Sequence, residues 1–290
     1  MARFHLLPLT AILMSIGAAD AACFAPGTAL PDRREIATDA HLGQSGRELA
    51  LALLTQDLVA ARRLLDRDPR LAGEPVGLHH DMLSVAVASC DLAGVVLVLA
   101  HGAPPDGAHG RGIPLRLALR ANGPDMAFRL LKAGASPHPR ADRAGPITTA
   151  IELNALGAVR MLLDFRADPN VAERTGNRPL QTALDMEHFR IAELLLDRGA
   201  DPWAIDGGGG NLGSALATSM LTAAPDEAAA RARLVKRLAR LGWPQPIPTP
   251  AQIRALALAG TWPPQHARAT GAPAVSPEVL ALLRRRQDRQ

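Results

Sequence analysis

The chain has 290 residues, with 32 Lys plus Arg against 28 Asp plus Glu for a net charge of +4, and its 48% apolar content is enough to bury a sizeable core. Aromatic residues are scarce (five Phe, three Trp, no Tyr), so Ala and Leu must do the packing, which argues against a β-rich fold and against an aromatic ligand cage. Two cysteines exclude a disulfide framework, and Lys132 and Lys236 are the only lysines beside many arginines, a GC-rich coding bias that fits a bacterial source.

The first element is a predicted leader over residues 1–21. Arg3 precedes an apolar stretch from Leu6 to Ala19, and Ala19-Asp20-Ala21 is a small-x-small cleavage site. The stretch is short for a membrane span. A secretory signal implies a periplasmic address, with cleavage after Ala21. Lipidation at Cys23 is the alternative, but Asp20 stands where a lipoprotein signal carries Leu. In an oxidising compartment a single Cys23–Cys90 bridge is chemically permitted; Cys90 can equally be a bland small residue in a turn. Residues 22–44 are expected to form a linker.

From about Ser45 to Pro244 one phrase recurs. VLAHGAPPD (Val98 to Asp106), LLKAGASPH (Leu130 to His138), LLDFRADPN (Leu162 to Asn170) and LLLDRGADPW (Leu194 to Trp203) each end an apolar run with Gly-Ala and a Pro, except that Arg166 replaces the glycine. From Gly102 to Gly134, Arg166 and Gly199 the steps are 32, 32 and 33 residues. A left-handed closing residue followed by proline ends a helix, and self-similarity at such a period signals stacked repeats. The other half of each unit repeats as well: GIPLRLA, GPITTA and NRPLQTA put proline in the first turn of a helix, where its missing N–H costs nothing, then Leu or Ile, then Ala. DMLSVA keeps the Leu and Ala with Met82 for proline. Two degenerate units flank these: Arg47 to Pro69, with Asp68 in the glycine position, and NLGSALATSM with ARLVKRLARLGWP, ending at Gly242. There the step from Gly199 is 43 residues, which places about ten extra residues between the helices, near Leu221 to Ala230.

The period and the Thr-Pro-Leu-His-x-Ala pattern resemble the ankyrin repeat, a β-turn followed by two antiparallel helices. The resemblance implies an all-α ankyrin-repeat solenoid of about six helix-turn-helix repeats over residues 45–244. Thr is replaced by Asp81, Ile113, Gly145 and Arg178, and no unit has the motif histidine. Residues 245–290 follow as a Pro-rich extension with helices near Pro250 to Ala259 and Pro277 to Arg286.

No arrangement of side chains points to catalysis, and no cofactor is expected. The histidines of the turn tips offer an alternative role in metal or small-ligand binding, but no acid or Cys completes a ligand set in sequence. The run Gly207 to Gly210 lacks the Gly-Lys-Ser/Thr ending of a phosphate loop and reads as a flexible connection. From Met220 onward eleven basic residues face four acidic ones, a net +7 against −3 for the remainder. This fits a solvated helix face and tail; contact with anionic lipid would need this segment or a lipidated Cys23, and without interleaved aromatics nucleic acid is not expected.

Proteins similar to this one hold partners with their turn tips and the exposed side of their first helices. The resemblance then implies a monomer that binds another protein through Arg174, Thr175, Asn177, Asp185 and Met186 in the strongest unit, Asp142, Arg143, Glu152 and Leu153 in the one before, and His109, Arg111 and Arg120 before that. His79, His80 and Ser89 are the equivalents in the second repeat. Periplasmic roles open to such a binder are inhibitor or immunity protein, adaptor, and protective factor.

Overall fold

The computed structural model describes residues 23–24, 27–108, 110, 113–138, 145–172, 176–218 and 224–287; the expected leader lies outside them. Among the described residues there are sixteen α-helices, one 3-10 turn and one two-stranded sheet. By packing the chain divides into two compact units, residues 1–140 and 141–290, where the repeats alone suggested one.

In the first unit, α1 (Arg33–Thr38) leads into three helix pairs: α2 (Gln44–Leu54) with α3 (Leu58–Arg67), α4 (Met82–Ala88) with α5 (Leu92–Ala100), and α6 (Ile113–Ala118) with α7 (Asp125–Lys132). The second unit holds three more: α8 (Pro146–Glu152) with α9 (Leu156–Asp164), α10 (Pro179–Asp185) with α11 (Phe189–Asp197), and α12 (Leu212–Thr218) with α13 (Pro225–Arg240). The extension adds α14 (Pro250–Leu258), α15 (Gln265–Ala269) and α16 (Pro277–Gln287). Within each unit first helices stack on first helices and second on second.

Two backbone reversals recur along these pairs. The first lies between the helices, where Gln56, Cys90, Asn154 and Glu187 take φ of +51 to +58°. The following amide then reaches back five residues: Ala155 to Ala150 at 2.9 Å and His188 to Ala183 at 2.8 Å. Both acceptors are the repeated Ala of the motif, and both are fully buried. The second reversal follows the second helix. Gly102, Gly134 and Gly199 have φ of +91 to +97°, and Arg166, alone without glycine in that series, is held at +67°. The next residue donates to the carbonyl five back, as in Ala135 to Leu130, Ala167 to Leu162 and Ala200 to Leu195, all 2.9 Å. Those alanines and Ala103 are each 4% exposed. The recurring Asp then caps the exit loop: Asp168 Oδ1 accepts from Asn170 N and Asp201 Oδ1 from Trp203 N.

Three expectations need correction. Asp68 is no stand-in for glycine: its φ is −141°, and its carboxylate caps a 3-10 turn, Pro69–Gly73, that carries the chain onward. The extra residues of the last repeat do not form a loop up to Ala230, since α13 begins at Pro225 and Ala230 is buried inside it; proline and two acids in its first turn suit a helix start. The glycine run is not a free connection. Asp206 Oδ1 accepts from Gly208 N (2.5 Å) and Gly210 N (2.9 Å), and Asp206 N donates to Gly210 O (3.1 Å). A Cβ at Gly209 would collide with the Pro250 carbonyl, so the absence of side chains lets α14 seat on the loop.

The ends are tied down by residues outside the repeats. Cys23 is joined to Cys90 in a disulfide with Cα atoms 6.4 Å apart. Asn122 N donates to Cys23 O, and Phe24, Ile36 and Leu42 are buried, so the expected linker packs on the first unit. At the other end all three tryptophans meet. Trp203 stacks on Trp243 (centroids 4.5 Å, 2° between planes) and both meet Trp262 edge-on. Trp262 Nε1 donates to the Trp203 carbonyl at 3.0 Å. Each indole is 3–4% exposed, which docks the extension on the last two repeats of the second unit.

This packing makes three predictions about stability. A Cβ at Gly213 would meet Trp243 Nε1 and lie 2.8 Å from Cε2, whereas one at Gly157 meets nothing within 4 Å. Gly213→Ala should destabilise, because an overpacking cost of about 1–3 kcal/mol exceeds a helix-propensity gain of at most about 1 kcal/mol. Gly157→Ala should stabilise by up to about 1 kcal/mol, with urea unfolding as the measure of both. Opening the disulfide, which closes a separation of 67 residues, by Cys23→Ser with Cys90→Ser should cost about 2–4 kcal/mol on the same assay.

Candidate functional site

In the first unit the strands β1 (Pro75–Val76) and β2 (His80–Asp81) pair antiparallel and form a turn tip just ahead of α4. Gly77 turns at φ +58°, and its N–H donates to Asp39 Oδ2 at 2.7 Å. That bond and one from His41 N hold the Asp39 carboxyl below its usual range. His79 is exposed beside Leu78, which is 74% exposed. His80 is half-buried, its Nδ1 has no partner among the described residues, and burial pushes its pKa down. Asp81 takes the place of the motif Thr, and its Oδ1 accepts from Ser84 N (2.8 Å) and Ser84 Oγ (3.0 Å). The carboxylate thus performs the helix cap a Thr hydroxyl would, while burial raises its pKa.

Ser89, expected on the binding face, is 4% exposed. Its hydroxyl donates to Ala86 O and its carbonyl accepts from Gln56 Nε2, so it joins repeats and presents nothing to a partner. Arg120 is half-buried just past α6. His109, Arg111, Asp142, Arg143, Arg174 and Thr175 fall outside the described residues.

In the second unit Glu152 and Leu153 end α8 as Asp185 and Met186 end α10, on two helices packed side by side. Glu152 and Asp185 are exposed, Leu153 is half-buried, and Met186 is 40% exposed. Local desolvation, then the Asp206 charge, raises the Asp185 carboxyl. The structure therefore brings these four together. Arg178, in the motif Thr position, lies 3.6 Å from Asp201 in a largely buried ion pair, a scaffold role.

Asn177 opens onto a groove of about 680 Å³, lined also by Asp206, Gly207, Gly208, Leu282, Arg285 and Arg286. Val279 and Leu282 of α16 face Gly176, where added carbon would touch both. The extension thus contributes half of a surface at the turn of the strongest repeat. These α16 residues and Leu78 were missed. Their one visible sign is a helix with three consecutive arginines, which carries no hint of where it docks. Among the described residues no group of three His, Cys, Asp or Glu side chains could hold a metal ion.

The ankyrin-repeat family model, three copies long, matches residues 115–206. An ankyrin repeat-containing protein of Treponema pallidum (strain Nichols) is 29% identical over 150 residues, 51% of this chain and 48% of its own. Rat cyclin-dependent kinase 4 inhibitor B is 42% identical over 60 residues, 21% of this chain and 45% of its own. The chain thus spans about half the length of the curated relatives it matches. Among solved structures, the ankyrin repeat domain of Bcl-3, from the IkappaB family, aligns with TM-score 0.54 at 22% identity over 82% of this chain and 97% of that one. The all-α repeat fold is shared, and such repeats are protein-interaction modules; no enzyme family is indicated.

The tip histidine gives the first unit a pH dependence. His80 has a folded pKa below its ordinary 6.5, so below that value the unfolded chain binds more protons and stability is lost as pH falls. Urea midpoints for the full chain should drop between about pH 7.5 and 5.5. His80→Gln should flatten that drop, and an unchanged slope would refute the assignment.

Proposed function

We propose that this ankyrin-repeat protein recognises another protein in the periplasm and catalyses nothing, acting as an inhibitor or immunity protein, an envelope adaptor or a protective factor. The observation that carries the reading is the division of labour within each repeat. Gly, Ala and Leu at fixed spacing are consumed by reversals and core. The ends of α8 and α10 instead present, outside the core, an acid followed by an apolar residue, Glu152-Leu153 and Asp185-Met186. Exposed acidic and apolar side chains carried side by side on a fixed scaffold form the kind of surface that partner recognition uses. Rat cyclin-dependent kinase 4 inhibitor B, a relative over 60 residues, is by its name an inhibitor, which favours that role among the three.

Export is supported by the leader-like first 21 residues and by the pairing of Cys23 with Cys90, a bond at home in an oxidising compartment. A disulfide-bonded Cys23 has no thiol left for a lipid, so the paired form is unlipidated and meets membranes only through its basic C-terminal segment.

Expression with fractionation tests this. The chain should leave the cytoplasm, begin at Ala22 by intact mass, resist thiol alkylation until reduced, and retain a stoichiometric protein partner on affinity capture. A cytoplasmic chain with both thiols free would defeat the export reading. A clean capture with no partner would defeat the binding one.

A further inference from the structure

The groove at Asn177 combines features that neither the repeat nor the extension has alone. Its repeat wall is stiff. Asp206 spends Oδ1 on the Gly208 and Gly210 amides, and Arg254 Nη1 donates to Gly208 O at 2.8 Å. The opposite wall is the last turns of α16, anchored by Val279 and Leu283, which are 2% and 1% exposed. From that wall Leu282 offers an apolar surface, and Arg285 and Arg286 stand exposed with no acidic partner among the described residues. The Asn177 side-chain amide likewise makes no hydrogen bond among the described residues.

Two acids lie near, Asp206 and beyond it Asp185. Against them stand Arg254, Arg285 and Arg286, in a segment that carries +7 from Met220 onward. Adjacent like charges left unpaired repel one another and gain most from carboxylates, which guanidinium groups bind in forked geometry. An unpartnered amide suits a peptide backbone, which offers both a donor and an acceptor at each residue. Among the described residues no aromatic side chain lines the groove, so nucleobases find nothing there to stack on.

The geometry points to this groove as the seat of an acidic peptide segment of the protein partner, with carboxylates on Arg285 and Arg286, the peptide backbone on Asn177, and an apolar side chain against Leu282. This rests on the repeats being an interaction module and adds where, and to what chemistry, they bind.

Fluorescence anisotropy with a labelled Glu-Glu-Leu-Glu-Glu peptide and the full-length chain tests it. Saturable binding should appear and weaken with salt. Arg285→Ala with Arg286→Ala should weaken it by about tenfold or more, while Arg63→Ala with Arg240→Ala, an equal charge loss elsewhere, should change it less than about twofold. Asn177→Ala, which alters no charge, should weaken it measurably. Circular dichroism confirms that each variant remains helical. Absent saturable binding, or equal loss in both double variants, overturns the proposal. A protein partner captured undiminished by R285A/R286A would also overturn the groove while leaving the interaction-module reading intact.

Discussion

Everything in this protein depends on a backbone that turns left-handed at fixed intervals. The second helices α5, α7, α9 and α11 each end where one residue adopts positive φ, the next amide reaches back five residues, and the alanine there drops into the core. Without that reversal the following Asp and Pro could not start a new loop, and the Leu faces of successive helices would not meet. The hand of the turn matters enough that Arg166 adopts it without being glycine. A non-glycine residue held there costs about 1–2 kcal/mol. Leu162 is fully buried in the helix that this turn closes, and burying one leucine contributes about 1.5–3 kcal/mol, so packing outweighs the strain.

Repeats of this kind leave unsatisfied faces at their ends, and the chain deals with the two ends differently. At the N-terminal end α1 packs on α2 with Ile36 and Leu42 buried, while the disulfide and Phe24 hold the chain farther along, at Cys90 and Ala121. At the C-terminal end three indoles do it by stacking and edge contacts, each placed a few residues after a closing glycine at Gly199, Gly242 or Gly260. The exit-loop phrase therefore has a second use: in its late copies a tryptophan follows within four residues of the turn, and the phrase becomes an anchor point.

Periodicity made the repeated parts legible. The six helix pairs and the closing turns, Arg166 included, could be read because each occurs in register with copies of itself. Single-copy features could not. The Trp203 and Trp262 contact spans 59 residues, and nothing local marks the glycine run as the seat of α14. On the surface, the exposure of Glu152, Asp185 and Met186 follows from the same register, as ends of stacked helices. Ser89 occupies an equivalent position by alignment, yet a hydroxyl that can bond to its own helix and a carbonyl facing Gln56 draw it inside. The groove was out of reach for a plainer reason: half of it belongs to a helix whose docking site no repeat encodes.

The indole cluster has a spectroscopic consequence. With no tyrosine in the chain, near-ultraviolet absorption and emission come almost wholly from three tryptophans lying within 203–262, two of them 4.5 Å apart and parallel. Rings so close share their excited states, so the near-ultraviolet dichroism is a signature of this junction, while the first unit is nearly silent. Fluorescence thus reports the seating of the extension, and far-ultraviolet dichroism reports the helices of both units. Disagreement between the two probes would reveal fraying of the last repeats rather than a loss of the whole fold.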